Sequence, residues 1–296
     1  TINLGPFDVT FVTMTHSIAE PNGLAIKTPL GTVLHTGDWK IDDDPIIGEV
    51  TDAGAITRLG DDGVLAMVCD STNVFNPETS GSEGSVKDDL LKSVKAAKGR
   101  VVVTTFASNA ARLQTLGEVA RESGRTLCFA GRSLHRIIEA AQANGYLKDM
   151  PKTVGMESVD SLPRRDVIVV ATGGQGEARA ALARIAEGNH PVKLEEGDTV
   201  IFSSKQIPGN EIAIGVIMNK LAERNILTVT EKQAHVHVSG HPGQPELATL
   251  YDWIRPEVLV PVHGERRHMA EQARFARAHG VPKAVVQSNG DVVRLA

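Results

Sequence analysis

The chain has 296 residues, 41% of them hydrophobic, and a formal net charge of −5. That length can bury one large core or two ordinary ones. The acidic balance excludes a binder that relies on a global positive field, and leaves open an enzyme with a local basic channel. An aromatic share of 4% leaves too few rings for a base-stacking platform. Cys69 and Cys128 lie in apolar strand-like runs and read as reduced core residues of a cytoplasmic protein. No apolar run is long enough to span a membrane, and no signal-peptide pattern is seen.

The chain opens without methionine in Thr1-Ile2-Asn3-Leu4 and soon enters a strand expected over 9–14, which ends at His16. Strands over 24–28 and 32–35 follow, and the second leads into His35-Thr36-Gly37-Asp38. An imidazole and a carboxylate, each just past a buried strand, are what a mixed N/O metal site needs. Asp42-Asp43-Asp44 reads as a solvated turn. A strand over 64–69 ends in the polar cluster Asp70-Ser71-Thr72-Asn73, and the turn-rich segment 76–84 marks a boundary.

From Ser85 the pattern alternates. Helices are expected over 86–97, 108–123, 134–144, 177–187 and 210–224, with strands over 100–106, 126–130, 166–172 and 199–203. Such alternation implies a parallel sheet covered on both faces. Three of its loops, 106–109, 172–177 and 203–210, offer Ser, Gly and Asn before helix N-termini and suit phosphate binding. Ser108, Asn109, Ser203 and Ser204 are the candidates there.

The stretch 234–268 holds five of the ten histidines. His237 and Ser239 are read on alternate positions of a strand, facing one way and leading to His241. Leu247, Leu250, Tyr251 and Ile254 recur at helical spacing before Pro256, and a strand over 258–262 then delivers His263. Imidazoles at strand ends suit metal coordination or proton transfer. His268 and His279, on a charged helix, read as ordinary surface or core residues. Residues 290–296 read as a final strand.

The motifs Thr15-His16-Ser17-Ile18, His35-Thr36-Gly37-Asp38, Asp70-Ser71-Thr72-Asn73, Val238-Ser239-Gly240-His241 and Val262-His263-Gly264-Glu265 together resemble the metallo-β-lactamase-fold nucleases of the β-CASP group. More narrowly they resemble the bacterial ribonuclease J family. The loops Phe106-Ala107-Ser108-Asn109, Gly173-Gly174-Gln175-Gly176-Glu177 and Ile207-Pro208-Gly209-Asn210-Glu211 extend the likeness over nearly the whole chain. The resemblance implies an α/β protein: a partial metallo-β-lactamase αββα domain (1–80 and 233–296) interrupted by a parallel-sheet β-CASP domain (81–232).

It also implies a ribonuclease that hydrolyses RNA phosphodiesters through two zinc ions, or manganese or magnesium in their place. Exonuclease action from the 5′ end and endonuclease action are both implied. His16, Asp38 and His263 are similar to metal ligands, and Asp38 to the carboxylate bridging both ions. Asp70 and His241 resemble the remaining catalytic positions, with His241 as proton donor. Ser203, Ser204, His237, Ser239, Ser108 and Asn109 would hold RNA phosphates. The implied partner is single-stranded, 5′-monophosphorylated RNA, and the implied assembly a homodimer or tetramer away from membranes. The family's His-x-His-x-Asp-His motif occurs nowhere in the sequence. The chain is therefore expected to be an internal portion, short of that N-terminal motif and of a C-terminal domain, and inactive in isolation. Two other readings compete: an RNA-binding but catalytically incomplete fragment, and a small-molecule hydrolase of the same fold.

Overall fold

In the computed structural model, which describes residues 1–207 and 209–295, the polar–apolar alternation after Gly5 forms a meander. Strands β1 (Ile2–Leu4), β2 (Phe7–Thr13), β3 (Asn22–Thr28) and β4 (Gly31–His35) pair antiparallel in sequence order. Helix α1 (Ala53–Asp62) follows, capped by the Asp52 carboxylate, which accepts the Ala55 N–H at 2.8 Å. Strand β5 (Ala66–Asp70) then pairs parallel to β4 and ends on Asp70. Neither β1 nor α1 was expected from the sequence. The first is a short exposed strand, and Gly54 and Gly60 weaken the helical signal of the second.

The chain divides into two compact units. One comprises Thr1–His16, Glu20–Gly81 and the chain from Ser239 onward; the other comprises Ser17–Ala19 and Ser82–Val238. In the second unit α2 (Lys87–Ala96), β6 (Val101–Thr104), α3 (Ala110–Ser123), β7 (Thr126–Ala130), α4 (Arg132–Ala143) and β8 (Thr153–Val154) come first. Then follow β9 (Val167–Ala171), α5 (Ala181–Ala186), β10 (Thr199–Phe202), α6 (Glu211–Ala222) and β11 (Leu227–Val229). All six strands run parallel in the order β11-β10-β6-β9-β7-β8. The central β6, β9 and β10 are buried throughout, as their valine-rich sequences require of strands covered on both faces.

The helix expected over 177–187 is shorter, because the Glu177 carboxylate turns back to accept the Gln175 N–H at 3.0 Å. Beneath the strand ends lies a buried ion pair, Arg112 Nη2 to Glu83 Oε2 at 2.9 Å. Arg112 also donates to the carbonyls of Val236 (2.9 Å) and Ser203 (3.2 Å).

The returning chain adds α7 (Gln244–Ile254), β12 (Val258–Val262), α8 (Arg266–Ala278) and β13 (Lys283–Ala284) to the first unit. Strand β12 slots parallel between β5 and β13, completing a seven-stranded mixed sheet in the order β1-β2-β3-β4-β5-β12-β13. One sheet face packs on α1, α7 and α8 through Val12, Leu34, Met67, Ile56, Leu250, Tyr251 and Phe275. The other carries a smaller cluster around Ala66, Val258 and Val260, while Phe7 and Phe11 stay about half exposed. Two expected strands do not form: residues 235–239 and 291–295 lie in no strand. The alternation that suggested the first reflects only the burial of Val236 and Val238. Pro208 and Ala296 lie outside the described residues. Among those described, no helix is long and apolar enough to cross a membrane.

Candidate metal centre

Strands β4, β5 and β12 are neighbours and run the same way, so the loops leaving their C-terminal ends meet at one edge. Asp38 comes from the loop after β4, Asp70 from the end of β5, and His263 directly follows β12. The loop before α7 supplies His241. One ligand atom each of Asp38, His241 and His263 lies within 4.8 Å of the other two. His263 Nε2 stands 3.4 Å from Asp38 Oδ2. The His16 and His263 rings each lie 5.3 Å from that of His241.

Two of the three imidazoles are oriented by a hydrogen-bond partner. His16 Nδ1 donates to the Gly240 carbonyl at 2.6 Å, and His241 Nδ1 to Asp70 Oδ2 at 2.6 Å. Both acceptors require the proton on Nδ1, which leaves the Nε2 lone pair available; this is how metal-binding histidines are usually held. Gly240 is a glycine for steric reasons. A Cβ there would come within 2.6 Å of His16 Cε1.

The loop after β5 supports the group from below. Thr72 Oγ1 donates to the His263 carbonyl at 2.6 Å, Ser71 Oγ to the Val262 carbonyl at 2.8 Å, and Asn73 Nδ2 to the His241 carbonyl at 3.2 Å. His263 adopts the left-handed backbone (φ 55°), a cost tolerated where surroundings over-determine it.

Burial lowers the His16 pKa, and the neighbouring His241 lowers it further, so its neutral, lone-pair form is favoured. Burial alone would raise the Asp70 pKa. The hydrogen bond and charge of His241, with the Thr72 amide, outweigh that and hold the carboxyl below its usual value. Two oriented imidazoles, a third at a strand end and a carboxylate make a mixed N/O donor set, which fits zinc and related divalent ions.

His16, Asp38, Asp70, His241 and His263 thus lie in one unit and come together. His16 stands beside the three-residue group rather than in it. Ser239, in the same unit, accepts the His241 N–H at 3.1 Å and so shapes its turn. The remaining expected residues belong to the other unit. Ser108 is exposed, and Asn109 caps α3 by accepting the Arg112 N–H at 2.7 Å. Ser203 is fully buried and donates to the Val236 carbonyl at 2.7 Å; His237 is half-buried. Ser204 lines a cavity of about 120 Å³ at the C-terminal edge of the parallel sheet, with Thr105, Ser133, Gly174 and Gln175. Among the described residues, the buried hydroxyls of Ser204 and Thr105 have no hydrogen-bond partner. Thr72, Asn73 and Gly240 went unassigned in the sequence, although each lies inside a quoted motif.

Residues 98–221 match the model of the Ribonuclease J, beta-CASP domain, and residues 228–286 match that of the Zn-dependent metallo-hydrolase RNA specificity domain. The chain is similar to Ribonuclease J of Sinorhizobium meliloti, at 45% identity over all of this chain and 52% of that protein. Ribonuclease J of Corynebacterium glutamicum is 43% identical over 98% of this chain and 41% of its own length. For Ribonuclease J of Thermus thermophilus the figures are 37%, 98% and 51%. The chain therefore spans about half the length of the curated relatives it matches. A crystal structure of a protein of unknown function from Enterococcus faecalis aligns at a TM-score of 0.65 over 98% of this chain and 64% of its own, and at 15% identity it speaks for the fold alone. On the two domain matches and these relatives, the chain belongs to the ribonuclease J family of β-CASP proteins within the metallo-β-lactamase fold.

Proposed function

We propose that the full-length protein is a metal-dependent ribonuclease whose cutting site is built on the Asp38, His241 and His263 group. The observation that carries this reading is the convergence of those donors beside an Asp70-oriented His241. His16, Asp38 and His263 would hold the metal; completing a zinc pair needs donors beyond these three. A bound divalent ion supplies Lewis-acid stabilisation of phosphodiester charge. In its doubly protonated form, with Nδ1–H held by Asp70, His241 would donate its Nε2 proton to the 3′-oxygen that departs as water adds to the phosphorus. Residues 1–80 and 233–296 are assigned to the metallo-β-lactamase domain and 81–232 to the β-CASP domain.

The finer reading is 5′-to-3′ exonuclease and endonuclease action in the cytoplasm, on single-stranded RNA bearing a 5′-monophosphate, by a homodimer or tetramer. The Ser204 cavity supports a phosphate subsite. Its buried hydroxyls, unpartnered among the described residues, lie at a parallel-sheet edge, where ligands of α/β folds are bound. Ser239, His237 and Ser108 remain assigned to RNA contacts, whereas Ser203, fully buried against Arg112 and Val236, and Asn109, buried as the cap of α3, are not placed to make them.

The test is cleavage of 5′-monophosphorylated RNA and of a β-lactam by the full-length protein, before and after chelation. Expected are RNA cleavage that chelation abolishes and zinc or manganese restores, and an intact lactam. RNA binding without metal-dependent cleavage would replace this reading with that of an incomplete relative.

A further inference from the structure

Glu246 sits in the first turn of α7, 3% exposed, and both its oxygens meet only donors. Oε1 accepts from the Ile41 N–H at 3.1 Å and the Ser80 hydroxyl at 2.6 Å. Oε2 accepts from the Ser80 N–H at 2.9 Å and the Gly243 N–H at 2.7 Å. These donors come from three separate segments. Ile41 lies just past Asp38, Gly243 just past His241, and Ser80 in the loop beyond β5.

A carboxylate suits this position and an amide does not, since an NH2 group would face N–H donors. The start of α7 is pressed against the same loop: a Cβ on Gly243 would lie 1.9 Å from the Glu78 carbonyl oxygen. A second buried group ties down the Asp38 loop. Lys40 Nζ pairs with Asp42 Oδ2 at 2.9 Å and donates to the Gly81 carbonyl at 2.8 Å. The Lys40 N–H donates to the carbonyl of Thr15, next to His16, at 2.8 Å.

We propose that Glu246 is a positioning residue that fixes the spacing between the Asp38 loop and the His241 loop, and through it the donor geometry of the metal centre. The inference rests on the metal-site reading above. Glu246 touches none of the proposed metal donors. It acts because a fully satisfied buried acceptor locks the backbones that carry them.

The test titrates Co²⁺ as the probe into full-length wild type, Glu246→Gln, Ser80→Ala and Leu250→Ala, reading affinity, d–d absorption and Tm. Leu250 is buried on the same helix in the apolar core and bonds to neither loop, so its truncation controls for lost stability. Glu246→Gln is expected to weaken Co²⁺ binding by about tenfold or more and to shift the absorption. Ser80→Ala is expected to weaken it by about threefold, less than Glu246→Gln, because it removes one of the four donors and leaves the Ser80 N–H in place. Leu250→Ala should lower Tm and leave both metal readouts at wild type.

Wild-type Co²⁺ affinity in folded Glu246→Gln overturns the proposal, as does an equal loss in Leu250→Ala at matched Tm. Should Glu246→Gln not fold, unchanged affinity in Ser80→Ala overturns it instead. A wild-type protein that binds no Co²⁺ overturns the metal reading and this one with it, an outcome distinct from equal binding by wild type and Glu246→Gln.

Discussion

The Asp70 carboxylate and His241 Nδ1 are 2.6 Å apart, with the carboxylate wholly buried and the imidazole partly exposed. The bond places a proton on Nδ1 and leaves Nε2 as the ring nitrogen not committed to Asp70. Asp70→Asn in the full-length protein keeps the shape but presents an amide, which can steady the wrong tautomer. Turnover is expected to fall by about 10²–10⁴-fold. Loss of less than tenfold on RNA cleavage would make the pair a packing contact only.

His241 and His263 should separate under substitution. His263→Ala is expected to lower both bound metal and turnover. His241→Ala should cut turnover by about 10²–10⁴-fold with metal content nearly retained, the signature of a lost proton donor. Metal analysis after dialysis decides: equal metal loss in both variants would move His241 into the ligand set.

Gly240→Ala tests the support of His16. The added methyl must displace the His16 ring, with Cε1 only 2.6 Å away, and with it the bond from Nδ1 to the Gly240 carbonyl. Metal affinity is expected to drop by about ten- to a hundredfold with little change in far-UV circular dichroism. Unchanged affinity would show that the ring can shift without loss.

The buried Arg112–Glu83 pair should matter to stability. Arg112→Ala leaves the buried Glu83 carboxylate without its main partner and takes a donor from the Ser203 and Val236 carbonyls, the second of which keeps the Ser203 hydroxyl. A cost of about 3–5 kcal/mol is expected in denaturant unfolding of the unit that contains them. A loss below about 1 kcal/mol would mean water replaces the guanidinium there.

Burial pushes the thiol of Cys69 up to about 12 and that of Cys128 to about 11. At pH 8 the thiolate fraction of Cys69 is then on the order of 10⁻⁴. Both should resist alkylation in the native protein and react fully once it is denatured, as peptide mapping by mass spectrometry would resolve. Rapid native labelling of either would mean its strand opens locally.

Much of this was legible in the sequence. Strand β12 and helix α7 were read nearly to their ends, because their periodicities are clean and Pro256 separates them. The five residues His16, Asp38, Asp70, His241 and His263 were found because each sits at the end of an apolar run. What stayed hidden depends on contacts between distant segments. Ser203 looked like a loop hydroxyl, yet Arg112 and Val236 enclose it. Glu246 looked like an ordinary acid in a helical first turn, and only packing reveals its four donors. The apparent strand through His237 is a case where alternation records burial without a pairing partner.

The Thr72 hydroxyl and the His263 carbonyl that it holds are 191 positions apart in the chain. The inserted unit has its own core and can form while the rest is still being made. Strand β5 meanwhile waits with one edge unpaired until β12 arrives. Loop closure grows costly only as the logarithm of length, so the long insertion is tolerated, but such non-local parallel pairing is slow. Until it happens, the apolar edge of β5 is open to wrong partners. The donor group therefore cannot be complete until β12 is in place, and a nascent chain halted before Val258 lacks the strand that presents His263. If the centre cuts RNA, an unfinished chain cannot do so.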